Sequence, residues 1–539
     1  MSSYLCKPDI NKILLSLLLL AITSCDDSVS QLSENSIIYC SESSPDSFNP
    51  QISESGTAID ATSHQVYNRL LTFDDEHHII PSLANSWHLT ANGKILTFYL
   101  KKNVSFHKTH YFSPTRTMNA NDVLFSFNRI LDKTHPYHHV SGGRYPFFES
   151  VNFSSHIQKV EKVNDYTVRF ILTKPDSSFL ANLATDFPVI LSKEYSEKLV
   201  KNKTLQNIDT LPIGTGPFKL DEYRVGSFIR YKRHDDYWAG AVALKQLVFD
   251  ITPNNTGRLT KLLTHECDVI AYPIAHKKLQ KHRQFKLNSV TASNVGYLAF
   301  NTEKPPFDNI LVRQAVSHAI NKQAIIETVF FGKAVIAKTL LPKQSWAYDK
   351  SIKGVKFDPA LAKELLIKAG FETGFEMDIW APPISRAYNP NAITMAKIIQ
   401  DNLSKIGIKV KIVSHYEWST FIQNIKKGEH QTALLGWTAD HPDPDNFFTP
   451  ILSCAAKDSG DNKTRWCNKS FDLLLEKSLL TDKIKQRRVY YSQALTIINT
   501  ELPLLPIAHS KRFQARSKKV KGRILNAFGG IDFTKVTIE

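Results

Sequence analysis

The chain has 539 residues, with 67 Lys and Arg against 51 Asp and Glu, a formal charge of +16. Its 42 % apolar and 22 % charged residues are the balance of a folded globular protein and exclude a disordered chain. At roughly 100–200 residues per domain the length calls for several domains. No apolar run reaches the ~18 residues of a membrane span, which excludes a polytopic membrane protein, and six cysteines are too few for a disulfide scaffold.

At the N-terminus, Lys7 and Lys12 precede an apolar run over 13–22 broken only by Ser16. That run is too short to cross a bilayer and suits the core of an export signal. It ends at Ile22, Thr23, Ser24 and Cys25, which resembles the lipobox of bacterial lipoproteins. Residues 1–24 are therefore expected to be a lipoprotein signal peptide and Cys25 the lipidated residue, an ordinary exported protein cut near Ser24 being the alternative. Asp26, next to Cys25, resembles the signal that keeps such proteins at the inner membrane. Polar residues 25–36 read as a tether. Loss of Lys7, Lys12 and Asp9 with the leader removes one net positive charge and leaves +15.

Beyond Cys6 and Cys25, four thiols remain, Cys40, Cys267, Cys454 and Cys467, with three possible pairings in an exported protein. The short Gly/Asp/Asn-rich stretch between Cys454 and Cys467 suits a local staple, which leaves Cys40 for Cys267. No C-x-x-C occurs, so zinc-finger and thioredoxin-like readings have no support.

Further along, 87–89 and 95–100 flank Asn92-Gly93 as a hairpin. Asn119 caps an amphipathic helix that places Val123, Phe127, Ile130 and Leu131 on one face. Asp358, Pro359 and Gly370 bound a helix. Then come a strand over 375–380, a helix over 392–406, a strand over 408–413, a helix over 417–427 and a strand over 432–436. This alternation predicts a mostly parallel sheet with helices on both faces. Ligands of such sheets bind beyond the carboxyl ends of the strands. The loops leaving Trp380 and Gly436 should therefore bring Arg386 and Asp440 to one crevice, where a cation and an anion suit a zwitterion. The alternative is that each forms a surface ion pair elsewhere.

At these residues a family resemblance emerges. The chain resembles periplasmic solute-binding proteins of the peptide/opine/nickel class, the receptors of peptide ABC importers, over essentially the whole mature length. Pro45-Asp46-Ser47-Phe48-Asn49-Pro50, Pro212-Ile213-Gly214-Thr215-Gly216-Pro217-Phe218 and Asp443-Pro444-Asp445-Asn446-Phe447-Phe448 carry it. Within the class, Asn389-Pro390-Asn391-Ala392 and Ser453-Cys454-Ala455-Ala456 are similar to the dipeptide-binding branch. Phe112-Ser113-Pro114-Thr115-Arg116 and Ser345-Trp346-Ala347-Tyr348-Asp349 are similar to the Sap-type branch, named for sensitivity to antimicrobial peptides.

The resemblance implies an α/β fold of two lobes, the type II periplasmic-binding architecture with mixed sheets, an extra subdomain and two interlobe crossings. The expected division is lobe I over 37–293 and 511–539, with the subdomain at about 66–212, and lobe II over 294–510. The crossings are expected near 294–301 and 506–510. It implies Asp440 for a peptide's α-ammonium, Arg386 for its terminal carboxylate, Trp437 and Tyr388 beside them, and Ser55, Gly56 and Thr57 as the opposite wall. A guanidinium matches a carboxylate bidentately and a carboxylate accepts from an ammonium. Both disulfides, Cys40 with Cys267 and Cys454 with Cys467, match the pattern.

If both peptide ends are gripped, length is gated, since each added residue extends the ligand by ~3.3–3.6 Å. The partners implied are short peptides, with haem or glutathione as rival ligands, and the permease and ATPase subunits of an importer, for a monomer tethered by lipid in the periplasm. No cofactor, metal, nucleic acid or catalysis is expected. A peptidase or amidase and a purely structural lipoprotein are the rivals of other classes.

Gly214-Thr215-Gly216-Pro217 lacks the spacing of a phosphate loop and reads as a structural turn. His107, His110, His77, His78, His138 and His139 match no metal motif and are expected to be solvated. The basic residues are spread among acids, as on a solvated surface, without a nucleic-acid motif. A chain of +15 should repel cationic antimicrobial peptides unless its cleft is locally acidic, for which Asp440, Asp443 and Asp445 are the candidates.

Overall fold

The computed structural model describes residues 35–53, 55–274, 276–414 and 417–539. The leader and Cys25 lie outside the described residues. Among those described, no helix is long and apolar enough to cross a membrane.

The local signals act where the chain carries them. Strands Ala84–Leu89 and Ile95–Leu100 pair antiparallel around Asn92-Gly93. Helix Ala120–Leu131 starts at Asn119, whose side chain accepts from the Asn121 amide while Asp122 accepts from the Asn119 amide, a reciprocal cap. Val123, Phe127 and Ile130 are buried as expected. With Ile157–Asn164 and Thr167–Leu172 the hairpin forms a four-stranded antiparallel sheet, in which Val168, Phe170 and Leu172 alternate inward.

Strand Leu504–Ser517 organises the rest. Its first half pairs with Asn294–Phe300 and Ala334–Ile336. Its second half pairs with Phe285–Thr291 and Val269–Ala271. One continuous hydrogen-bonded path therefore runs through two lobes. Beyond Val269–Ala271 lie Ser36–Ser41, Gln246–Ile251, Phe228–Arg233 and Phe218–Arg224; beyond Asn294–Phe300 lie Thr432–Thr438, Glu376–Trp380 and Lys409–Val413. The last three are parallel to one another, as the strand–helix alternation predicts, but Thr432–Thr438 meets Asn294–Phe300 antiparallel, which makes the sheet mixed. The apolar cores divide likewise. One cluster draws on 37–271 and 520–536 (lobe I); two others draw on 295–508 (lobe II).

Cys40 bonds to Cys267 and Cys454 to Cys467. The first ties strand Ser36–Ser41 to the segment just before its parallel neighbour Val269–Ala271, the second staples the loop ahead of helix Lys469–Leu479.

Two of the histidines expected to be solvated are buried. His107 Nε2 and His234 Nδ1 both donate to the Gly216 carbonyl, at 2.9 and 3.0 Å, while His107 Nδ1 accepts from the Gly214 amide. Burial pushes the His107 pKa well down, so it is a neutral strut that fixes the Gly214–Gly216 turn against Val66, whose carbonyl accepts from the Gly216 amide. His138 is held by donating to the Arg129 carbonyl at 2.8 Å. His78, His110 and His139 are exposed.

Candidate functional site

A cavity of about 440 Å³ lies between the lobes. Asp440, Arg386, Trp437, Tyr388, Ser55 and Gly56 all line it. Thr57 stands behind them: its hydroxyl is 2.8 Å from that of Ser55 and reaches the Ser44 carbonyl.

Parallel pairing of Glu376–Trp380 with Thr432–Thr438 brings Arg386 and Asp440 together, because both loops leave the same sheet edge. The second strand runs two residues beyond the expected Gly436, so Trp437 and Thr438 belong to the strand and not to the loop. Asn446 then orients the anion. Its Oδ1 accepts from the Trp437 indole and the Asp440 amide, at 3.0 and 2.9 Å, and its Nδ2 donates to Asp440 Oδ2 at 3.3 Å.

Arg386 sits in a tight turn closed by reciprocal backbone bonds with Asn389. Two features pin that turn. Ser510 of the lobe-spanning strand donates to the Ala387 carbonyl at 2.6 Å. Gly296 and Gly436 face each other across the ladder, and Tyr388 fills the space they leave. A Cβ on Gly436 would lie 2.2 Å from the Tyr388 ring, and one on Gly296 2.3 Å from its carbonyl oxygen, so both positions require glycine.

The guanidinium is not a surface ion pair. It is buried between the Tyr272 and Trp418 rings, 5.7 and 5.6 Å from their centroids. Its Nη1 donates across the interlobe gap to Glu42 Oε1 at 2.6 Å and to the Ser385 carbonyl at 3.3 Å. Among the described residues no hydrogen bond is made by Nη2, and a Cβ placed on Gly56 would come within 3.9 Å of it. Burial alone would lower its pKa, but Tyr272, Glu42 and Tyr388 outweigh that and hold it above the ordinary value.

Asp443 and Asp445 do not acidify the cleft. Asp443 is paired bidentately with Arg487, at 2.7 and 2.8 Å. Asp445 is buried and bonded to Thr449; burial pushes it up to about 7. The acids lining the cavity are Asp46, Asp60, Asp186, Asp440 and Asp461, against Arg386, Lys426, Lys463 and Arg512. Burial raises Asp60 to about 7 despite the opposing field of Arg512. Asp186 stays well below the usual carboxylate range: burial would raise it, but His64 at 2.7 Å, Arg69 and the Gly530 amide prevail. The cavity is thus mixed in charge with fixed opposite poles, which suits a zwitterion.

Glu42, Asp60, Asp186 and Arg512 are site residues that sequence reasoning missed. Asn446 belongs to the family motif Asp443-Pro444-Asp445-Asn446-Phe447-Phe448, which by itself assigns it no role. Among the described residues one set of three metal-ligating groups meets, Cys40, Asp250 and Cys267, and its two sulfurs are joined as the disulfide.

The family model of the bacterial extracellular solute-binding proteins, family 5, matches residues 78–459. The dipeptide-binding protein of Escherichia coli strain K12 is 45 % identical over 93 % of this chain and 94 % of its own length. The peptide transport periplasmic protein SapA of Salmonella typhimurium is 40 % identical over 94 % and 92 %. The crystal structure of a dipeptide-binding protein from Pseudoalteromonas sp. SM9913 in complex with Met-Leu superimposes with a TM-score of 0.91 at 48 % identity, covering 94 % of this chain and all of that one. With a two-lobed fold, a mixed-charge cleft between the lobes and a match across most of its length, the chain belongs to family 5 of the bacterial extracellular solute-binding proteins.

Proposed function

We propose that the protein is the periplasmic substrate-binding receptor of an ABC importer for short peptides, which it encloses between its lobes and delivers to an inner-membrane permease. The observation that carries this reading is the pair of fixed opposite charges in one interlobe cavity, Asp440 oriented by Asn446 and Arg386 held by its pinned turn. Asp440 accepts from the peptide's α-ammonium, and Arg386 donates to its terminal carboxylate. Desolvation on closure strengthens both contacts and makes either charge costly to leave unpaired. Trp437, Tyr388, Ser55 and Gly56 form the walls, with Thr57 supporting Ser55.

The apolar clusters support the division into 37–293 with 511–539 and 294–510, with the antiparallel sheet in the added subdomain at about 66–212. The protein binds and releases its ligand unchanged, acts as a monomer, and is anchored through lipid at Cys25. Similarity to the dipeptide-binding and SapA relatives supports the importer role.

Titration calorimetry on ligand-stripped protein tests the reading, with Ala-Ala, its N-acetylated form, glutathione and haem as probes. Ala-Ala should bind, acetylation should weaken it about 30-fold or more, and Asp440→Asn should do the same. Equal binding of the acetylated peptide, or binding of haem alone, would refute it.

A further inference from the structure

The 51 acids average about one in ten over the 539 residues, yet Val269 to Thr302 and Leu502 to Ile531 contain no Asp or Glu. Folding lays these two stretches side by side. Phe285–Thr291 of the first pairs antiparallel with the 511–517 half of strand Leu504–Ser517. The cations beside that pairing stay at the surface: Lys277, Lys278, Lys281, Arg283, Lys518 and Lys519 are all exposed, and none is in an ion pair among the described residues. Helix His276–Gln280 is seated by Leu279, which is buried with Phe285, Cys40 and Cys267, and Lys277 and Lys278 face outward. Three acids stand nearby. Asp268 accepts from the Ile38 amide at 2.9 Å, Glu266 from the Thr264 hydroxyl at 2.7 Å, and Glu539 pairs with Lys521 at 3.1 Å. Positive charge is therefore in excess along this rim.

Strand Ser36–Ser41 enters the sheet at the same end. The Asp268 amide donates to the Ile38 carbonyl, the Ser517 amide to the Asp268 carbonyl and the Lys518 amide to the Gln284 carbonyl, at 2.9, 2.8 and 2.9 Å. These bonds put the start of Ser36–Ser41 on one rim with Arg283, Lys518 and Lys519. Residues 26–35 separate Cys25 from Ser36. At ~3.3–3.6 Å per residue, even a fully extended tether ends about 35 Å from its anchor. A lipid at Cys25 thus holds this rim within that distance of the bilayer.

We propose that this rim of lobe I, from Lys277 through Arg283 to Lys518 and Lys519, is a docking surface for anionic phospholipid headgroups. Phosphate oxygens accept from ammonium and guanidinium donors. Each cation adds an attraction that decays within a Debye length of ~8–10 Å, and the tether keeps the rim where so short a range matters. All six cations belong to lobe I, so docking leaves lobe II free to swing as the cleft opens and closes. An acidic protein would satisfy the same charges, but the tether's point of entry on this rim favours the lipid surface. The inference rests on the lipid anchor proposed above, which supplies the proximity.

Lysine acylation mapped by mass spectrometry tests it on the mature protein, placed on vesicles of phosphatidylcholine alone or with one-third phosphatidylglycerol. Lys277, Lys278, Lys281, Lys518 and Lys519 should react about tenfold or more slowly on the anionic vesicles, each docked cation contributing a factor of about five. Exposed Lys363 and Lys368 of lobe II should react equally on both. Molar salt shortens the Debye length to ~3 Å and should abolish the protection. The double variant Lys518→Glu/Lys519→Glu should restore the reactivity of Lys277, Lys278 and Lys281 and leave Ala-Ala affinity unchanged, whereas Lys363→Glu/Lys368→Glu, with the same change of charge, should keep the protection. Equal protection on both vesicles, none on either, or equal loss in the two double variants would overturn the assignment. So would protection that appears only when the cognate permease is reconstituted into phosphatidylcholine vesicles, which would give the rim to an acidic protein face. Protein that washes off phosphatidylcholine vesicles yet is protected on anionic ones would refute the anchor at Cys25 and leave the docking surface standing.

Discussion

His441 Nε2 donates to Asn182 Oδ1 at 3.0 Å, so the residue next to Asp440 is bonded to helix Phe179–Ala184 of the facing lobe. The ring's other nitrogen accepts from the Asp443 amide, and the imidazole is therefore neutral. Burial lowers its pKa to about 4, against the pull of the Asp443 and Asp176 carboxylates and with help from Arg487. A pKa below the unfolded value of about 6.5 means the unfolded chain takes up the proton first, so this stability is present above pH ~6.5 and is lost as pH falls toward 4.

His441→Gln keeps a donor for Asn182 and removes the titration. Denaturant unfolding of both proteins between pH 7 and pH 4 should show the wild type losing ground to the variant as the solution becomes acid, by on the order of 3 kcal/mol at most. A difference independent of pH would mean that His441 does not titrate as described.

Glu42→Gln should act in two directions. Arg386 loses its buried counter-charge, and breaking such a pair costs about 3–5 kcal/mol of stability. Yet the anion beside the ligand's carboxyl side is also gone, so Ala-Ala should bind more tightly than to wild type. Weaker Ala-Ala binding by folded Glu42→Gln protein would show that Glu42 helps to hold the ligand.

Gly436→Ala drives a Cβ into the Tyr388 ring. Overpacking at a filled site costs about 1–3 kcal/mol, and the displaced turn carries Arg386, so peptide affinity should fall with stability. Gly226→Ala is the contrasting control, since a Cβ there meets nothing within 4 Å and only its positive φ opposes the change. An unchanged affinity in Gly436→Ala would separate the Tyr388 seat from the binding site.

The two disulfides close loops of very different length, 227 and 13 residues apart in sequence. On the chain-entropy account, removal of Cys40–Cys267 by paired serine substitutions should cost more than removal of Cys454–Cys467, within a range of about 2–5 kcal/mol. Thermal unfolding of the two double variants reads the order directly; a reversed order would contradict that account.

Much of the fold was legible because its signals are local. Asn119 and Asp122 cap a helix through bonds that reach two or three residues. Asn92-Gly93 turns one hairpin, and helix periodicity between 357 and 440 sets the alternation from which the parallel strands follow. Even the meeting of Arg386 and Asp440 was legible, because parallel strands must present their carboxyl ends on one side. The burial of His107 was not, since its partners, Gly214 and Gly216, lie more than a hundred residues away and leave no periodic trace.

By itself the sequence determined the lobed α/β architecture, the family and the two residues whose charges face the cleft. Only the tertiary structure decided what those charges do. Glu42 stands 344 residues from Arg386, and no spacing rule links them. Likewise Lys333 Nζ came to lie 5.3 Å over the Phe513 ring, with no hydrogen-bond partner among the described residues, only when folding brought the two together. Caps and turns are written in neighbouring residues. The balance of a buried charge depends on which distant groups packing brings within a few ångströms, and on which it leaves out.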